Sequence, residues 1–274
     1  MRLGAYIELV RPHNCVIAGV AAVVGALVAS EGELLPLMVF VFMAAALVCG
    51  GGNAINDYCD REIDAINRPQ RPIPSGRLTP AQALGAGRYL FLVGVILALP
   101  LGLYCVALAI FNSLLLAVYS TWLKRLGLPG NLAIAYLVGS TFLFGGLAVG
   151  KLKLVGVLAA MAALSTAGRE LVKDIEDMKG DRKLGLKTFP LRWGPRPAAF
   201  LAAAFIGGAM ILSPLPFKLG LDGVYLGVVS ASIALFLLAL VVVLRNPRAG
   251  AGKASRICRI GMGLGVLAFL AGAI

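Results

Sequence analysis

The chain has 274 residues, of which 59% are hydrophobic and only 14% charged, with a mean hydropathy of +0.90. Such proportions exclude a soluble globular domain, a disordered chain, a coiled coil and a secreted disulfide scaffold, because none of these tolerates long unbroken apolar runs. The formal net charge of +12 is explained by where the basic residues fall, and nucleic-acid binding is not needed to account for it.

Apolar runs between charges cover residues 12–30, 34–56, 89–123, 126–150, 154–168, 197–217, 223–244 and 260–274. An ionised side chain at the bilayer centre costs roughly 2.5 to 3.5 kcal/mol on insertion scales, so charges mark the ends of spans. The run 89–123 is too long for one helix, and Pro100 and Gly102 near its middle divide it in two. The expectation is an all-α polytopic membrane protein with nine transmembrane helices, forming one integral membrane domain over residues 1–274. The first apolar run is span-length and lacks a small-residue cleavage site, so no cleavable signal peptide is expected.

All of the 25 basic residues except Lys151, Lys153 and Lys218 lie in loops on one side of this topology. The positive-inside rule assigns that side to the cytoplasm. The N-terminus is therefore expected inside and the C-terminus, Ile274, outside the cell membrane. Cys15, Cys49, Cys59, Cys105 and Cys258 show no pair spacing, and His13 is the single histidine. Little remains for thiolate or imidazole metal ligation, so the chemistry is expected to use carboxylates.

Most of the 13 acidic residues fall in two windows. The first holds Asp57, Asp60, Glu62 and Asp64, and the second Glu170, Asp174, Glu176, Asp177 and Asp181. Asp57, Asp60 and Asp64 stand at i, i+3 and i+7, and Asp174, Asp177 and Asp181 repeat those offsets. At about 100° per residue each triplet occupies an arc of roughly 60° on one helix face. One turn earlier, Asn53 extends the first ladder and Glu170 the second.

Like charges stacked this way destabilise a helix unless something neutralises them. Lysine or arginine could do so, but a hard divalent cation such as Mg²⁺ suits carboxylate and amide oxygens better and often shares its shell with phosphates. Solvated helix ends would explain neither the repeated spacing nor the flanking sequence. After Asp64 the prolines of Asn67–Gly76 forbid further helix and are expected to hold an extended loop presenting Arg68 and Arg71. Arg169 and Lys173 are interleaved with the second ladder. Cations beside acids suggest a ligand that is both metal-bound and polyanionic, such as a diphosphate.

The windows Asn56-Asp57-Tyr58-Cys59-Asp60-Arg61-Glu62-Ile63-Asp64, with Arg68-Pro69 and Arg71-Pro72, and Asp174-Ile175-Glu176-Asp177 on to Gly180-Asp181, resemble the two aspartate-rich motifs of the UbiA superfamily of intramembrane prenyltransferases. The resemblance covers essentially the whole chain. It implies helices around a central cavity and two Mg²⁺ ions holding a prenyl diphosphate. Carried over by position, Asn53, Asp57, Asp60 and Asp64 would serve the first metal site and Asp174, Asp177 and Asp181 the second. Of these, Asp57, Asp64, Asp174 and Asp181 would be needed for catalysis. Tyr119-Ser120-Thr121-Trp122-Leu123-Lys124, followed by Gly130-Asn131, is similar to a further family loop, so Tyr119 and Lys124 join Asn14, Arg68, Arg71, Arg169 and Lys173 as implied substrate contacts.

The runs Arg11-Pro12-His13-Asn14 and Gly168–Asp177 are most similar to members that transfer a geranylgeranyl group to geranylgeranylglyceryl phosphate. The alternatives are an aromatic or chlorin acceptor within the same family, or a cation transporter. The implied partners are a prenyl diphosphate, a lipid-like acceptor and membrane lipids, with no nucleic acid and no obligate protein partner. Transport is disfavoured because both ladders sit at the cytoplasmic ends of spans, whereas transport sites tend toward the bilayer midplane. A CDP-alcohol phosphotransferase is disfavoured because the opening of its motif is absent.

Overall fold

The computed structural model describes residues 2–183 and 185–273. Ile274, on which the expected exit of the C-terminus rests, lies outside the described residues, as does the Arg2 side chain. The described chain is all α, apart from two short 3₁₀ turns. Its helices are α1 (Arg2–Val10), α2 (Pro12–Ala29), α3 (Met38–Asn67), α4 (Pro80–Leu97), α5 (Leu103–Thr121), α6 (Leu128–Val149), α7 (Lys153–Lys183), α8 (Phe189–Trp193), α9 (Pro195–Leu212), α10 (Leu215–Lys218), α11 (Gly223–Arg245) and α12 (Pro247–Ala273). Among the described residues nine helical segments are long and apolar enough to cross a membrane. The expected division of 89–123 is present: Leu99–Leu101 form a 3₁₀ turn, and Gly102 adopts φ 99°, open to glycine and strained for other residues.

Helix ends differ from span ends. The α3 helix runs through the first ladder to Asn67 and α7 through the second to Lys183, well past the charges that close their apolar runs. A charge ends favourable burial in lipid, but only a proline, a glycine or a cap ends the backbone hydrogen bonding. For the same reason α4 starts at Pro80 rather than 89, behind a capping box in which Thr79 and Gln82 satisfy each other's backbone N–H. Likewise α12 starts at Pro247 rather than 260, with Asn246 Oδ1 accepting from Ala249 N at 3.2 Å.

Two compact units are interleaved along the chain. The first comprises Met1–Ala26, Leu34–Trp122 and Phe144–Gly150. In it α3 packs on α1, α4 and α5. Gly51 and Gly87 let α3 and α4 approach closely: a Cβ on Gly51 would lie 2.9 Å from the Gly87 carbonyl oxygen. One core cluster joins Ala5, Leu9, Ala54, Ile73, Leu78 and Ala83, so the proline-rich loop is itself part of the core.

The second unit comprises Leu27–Glu33, Leu123–Leu143 and Lys151–Ile274. Leu171, Val172 and Ile175 of α7 pack with Ile206, Phe236 and Val243 from α9 and α11. The Tyr225 hydroxyl donates to Ser213 O, and Ser232 Oγ donates to Gly261 O, each at 2.7 Å. These bonds fix α11 against its neighbours without leaving a hydroxyl unpaired in an apolar setting.

Candidate active site

The first ladder is held by arginine. Asp57 is 4% and Asp64 6% exposed, although both are carboxylates. Arg11 donates to Asp57 Oδ1 at 2.5 Å, while Arg71 Nη1 reaches Asp57 Oδ1 at 3.1 Å and Asp64 Oδ2 at 2.5 Å. One guanidinium nitrogen therefore bridges two buried carboxylates. Taking such groups out of water costs several kcal/mol per ion unless opposite charge and hydrogen bonds compensate.

Local structure explains how both arginines arrive. Arg11 sits between α1 and α2 with φ 54°, a left-handed break followed by Pro12. The loop after α3 is not extended as the prolines suggested. It folds into successive turns, with Arg71 N donating to Arg68 O and Ser75 N to Arg71 O, each at 3.0 Å, and Leu78 N to Pro72 O at 2.9 Å. Burial of Ile73 and Leu78, each worth about 2 kcal/mol, draws the loop back onto α1 and α3. Arg71 is thereby turned onto the ladder, while Arg68 stays exposed at the end of α3.

Two amide contacts lie beside these carboxylates. Asn53 Nδ2 donates to Val10 O at 2.9 Å, tying α3 to the end of α1, and Asn56 Nδ2 donates to Asp60 Oδ2 at 3.1 Å. Asn14 is exposed on the first turn of α2, and Tyr119 is half-buried near the end of α5.

The second ladder is built differently. Asn131 Nδ2, from α6, donates to Asp174 Oδ2 at 2.8 Å. Asp177 is exposed, Asp181 half-buried and Lys173 exposed. Arg169 pairs with Glu170 at 2.5 Å. Its Nε is buried with no hydrogen-bond partner among the described residues. Lys124 is half-buried in the short turn before α6.

Among the described residues no three His, Cys, Asp or Glu side chains gather closely enough to enclose an ion. The donor set still suits one. Asp57 and Asp64 converge on a single cationic nitrogen, and the atoms that accept from it are carboxylate oxygens of the kind hard divalent ions prefer.

The UbiA prenyltransferase family model matches residues 18–265. The chain belongs to the UbiA prenyltransferase family. It is 46% identical to digeranylgeranylglyceryl phosphate synthase of Methanothrix thermoacetophila, over 97% of this chain and 98% of that one. A solved structure of a digeranylgeranylglyceryl phosphate synthase is 38% identical and superimposes with a TM-score of 0.93, covering 100% of this chain and 99% of the other. A UbiA homologue from Archaeoglobus fulgidus, bound to GPP and Mg²⁺, shares the fold at 18% identity and a TM-score of 0.74, covering 97% and 99%. The UbiA membership implied by the two aspartate-rich windows is thus established, and the protein is a membrane-embedded prenyltransferase.

For this UbiA protein the sequence motifs overlooked two contacts. Arg11, quoted only as part of a motif near the start, proves to be the partner of Asp57. Asn131, quoted only as the end of a loop motif, orients Asp174. A proline after Arg11 is compatible with a helix break, but no local pattern tells where the guanidinium points.

Proposed function

We propose that this prenyltransferase moves a geranylgeranyl group from geranylgeranyl diphosphate to the free hydroxyl of geranylgeranylglyceryl phosphate, forming an ether and releasing pyrophosphate. The observation that carries this reading is the 46% identity over nearly the full length of both chains to a digeranylgeranylglyceryl phosphate synthase.

In this reading Asn53, Asp57, Asp60 and Asp64 hold one Mg²⁺ and Asp174, Asp177 and Asp181 a second. Bound there, Mg²⁺ supplies positive charge that stabilises the diphosphate as the allylic C–O bond breaks. The carboxylates position charge and do not attack substrate. Arg71 bridges Asp57 and Asp64 when no other cation does, and release of that guanidinium frees it for a diphosphate oxygen. Lys124 and Tyr119 contact the same diphosphate. Asn14, Arg68, Arg169 and Lys173 serve the acceptor phosphate, which brings about two further negative charges that need cations of their own. Apolar helix walls exclude water from the allylic cation. The N-terminus and the opening of the site face the cytoplasm, and the C-terminus lies outside.

Labelled geranylgeranyl diphosphate incubated with geranylgeranylglyceryl phosphate, 4-hydroxybenzoate and chlorophyllide tests the assignment. Label should pass to the glycerol phosphate lipid alone, stop on chelation and resume when Mg²⁺ is restored. Replacing Arg68 or Lys173 should raise KM for that acceptor more than for the donor, as loss of a uniform binding contact does. Transfer to the aromatic acid or chlorin, with none to the glycerol phosphate, would overturn the acceptor assignment.

A further inference from the structure

Between Asp222 and Arg245 the α11 helix carries no charge, so its residues gauge depth across the span. The α12 helix runs back along it. A Cβ on Gly250 would lie 2.5 Å from Val242 O and one on Gly272 2.7 Å from Tyr225, while Ser232 Oγ donates to Gly261 O at 2.7 Å near the middle of α11. Lys253, Arg256 and Arg259 therefore lie beside the half of α11 that ends at Arg245, at a depth where α11 itself is wholly apolar.

All three cations are exposed. Offsets of three residues hold them within an arc of about 120°, on the side of α12 away from Ala251, Ala254 and Cys258, which are buried in the core. Among the described residues none of the three forms an ion pair. Arg256 Nε donates to Gly252 O at 3.2 Å, a bond that does not use the two terminal nitrogens. The Glu176 carboxyl of α7 rests against Gly252, with Oε1 2.8 Å from the place of a Cβ there, one turn before Arg256. Like charges in such a row repel, and cations at span depth mark a path or a site for a counter-ion.

The same face turns apolar toward the other end of the helix. Ile260 and Leu267 fall within the arc of the cations and are 61% and 54% exposed. Cations above exposed apolar side chains match an amphiphile with an anionic head and a hydrocarbon chain. A phosphomonoester head brings about two negative charges, and guanidinium groups present paired donors to its oxygens. A zwitterionic head, by contrast, carries its own cation. We propose, on the strength of the acceptor assignment above, that this face of α12 docks geranylgeranylglyceryl phosphate from the surrounding leaflet, with Arg256 and Arg259 on its phosphate and its chain along Ile260 and Leu267. Successive spans alternate in direction, so Lys173, one turn before Glu176 on α7, comes level with Arg256, one turn after Gly252 on α12. The docked phosphate is thereby held at the depth of the lysine assigned to it in the reaction.

The test uses the full-length protein in phosphatidylcholine nanodiscs without donor or Mg²⁺. The probe is geranylgeranylglyceryl phosphate carrying a photoreactive group in its isoprenoid chain, and labelled peptides are mapped by mass spectrometry. Label should fall on the α12 peptide that holds Ile260 and Leu267, and an excess of the unlabelled lipid should remove it while the same excess of phosphatidylglycerol does not. Labelling should drop severalfold in the double variant Arg256→Gln/Arg259→Gln and return in Arg256→Lys/Arg259→Lys, which restores the charge but not the bond to Gly252 O. In turnover, the glutamine variant should raise KM for the acceptor severalfold and leave kcat and the donor KM unchanged. Unchanged labelling in the glutamine variant would overturn the proposal, and equal competition by phosphatidylglycerol would reduce the face to an ordinary contact with anionic lipid. The labelling needs no turnover, so its failure is distinguishable from transfer to an aromatic or chlorin acceptor, which would overturn the acceptor assignment instead.

Discussion

The two acidic ladders share one spacing and differ in what holds them. On α3, Asp57 and Asp64 are buried and held by two guanidinium groups. On α7, Asp174 is oriented by the neutral amide of Asn131, and among the described residues no ion pair reaches Asp174, Asp177 or Asp181. Burial explains the difference. A carboxylate removed from water needs opposite charge beside it, whereas one that keeps part of its hydration needs only orientation. In the proposed function the first ladder is therefore a stability element as well as a site, and the second is chiefly a site.

The largest effect is expected from Arg71→Met. It leaves two buried carboxylates short of their shared cation, and removal of one partner from such a pair costs about 3 kcal/mol or more. Thermal unfolding of the detergent-solubilised variant without divalent ions should show a clearly lower Tm. Added Mg²⁺ should restore part of it, because a cation that binds the folded state at the same oxygens stabilises that state. An unchanged Tm would mean that the arginine is not what balances the ladder.

A smaller effect on stability and a different effect on rate are expected at Asn131. Loss of one neutral hydrogen bond from Asn131→Ala costs about 1 kcal/mol, but if Asp174 holds metal as proposed, misplacing it costs about 10 to 100-fold in activity. Turnover and Tm measured on one preparation separate the two. A fall in Tm as large as that of Arg71→Met, with turnover retained, would reverse the roles given to the ladders.

The smallest effect belongs to a pair outside both ladders. Lys151 Nζ donates to Glu31 Oε1 at 2.7 Å, and both side chains are largely exposed. That hydrogen bond and the charge behind it hold the Glu31 carboxyl below its ordinary value of 4.5. A carboxyl with a lowered pKa adds stability above its unfolded value and loses it as pH falls through the folded one. Glu31→Gln should therefore melt slightly earlier than the parent at neutral pH, and the gap should close as pH drops below about 4.5. A gap that persists in acid would point to packing, not charge.

Much of this architecture was legible from the residues. Apolar runs between charges located the spans, Pro100 and Gly102 located a break, and the i, i+3, i+7 offsets placed Asp57 to Asp64 and Asp174 to Asp181 on helical faces. These features are local, set by periodicity and by backbone chemistry within a few residues. What remained hidden depends on long-range contact. The Arg11–Asp57 pair needs a left-handed residue between two helices. The position of Arg71 needs Ile73 and Leu78 buried against α1 and α3, which prolines alone do not dictate. Asn131 meets Asp174 only because separate helices pack in one register. No sequence period records that register.

The most direct test of the account compares Asp57→Asn with Asp174→Asn in Mg²⁺-dependent transfer of labelled geranylgeranyl to geranylgeranylglyceryl phosphate. Each variant should be extractable and folded, and each should lose nearly all turnover at saturating substrate, as the proposed two-metal reading requires. Near-normal turnover in either variant would contradict the account.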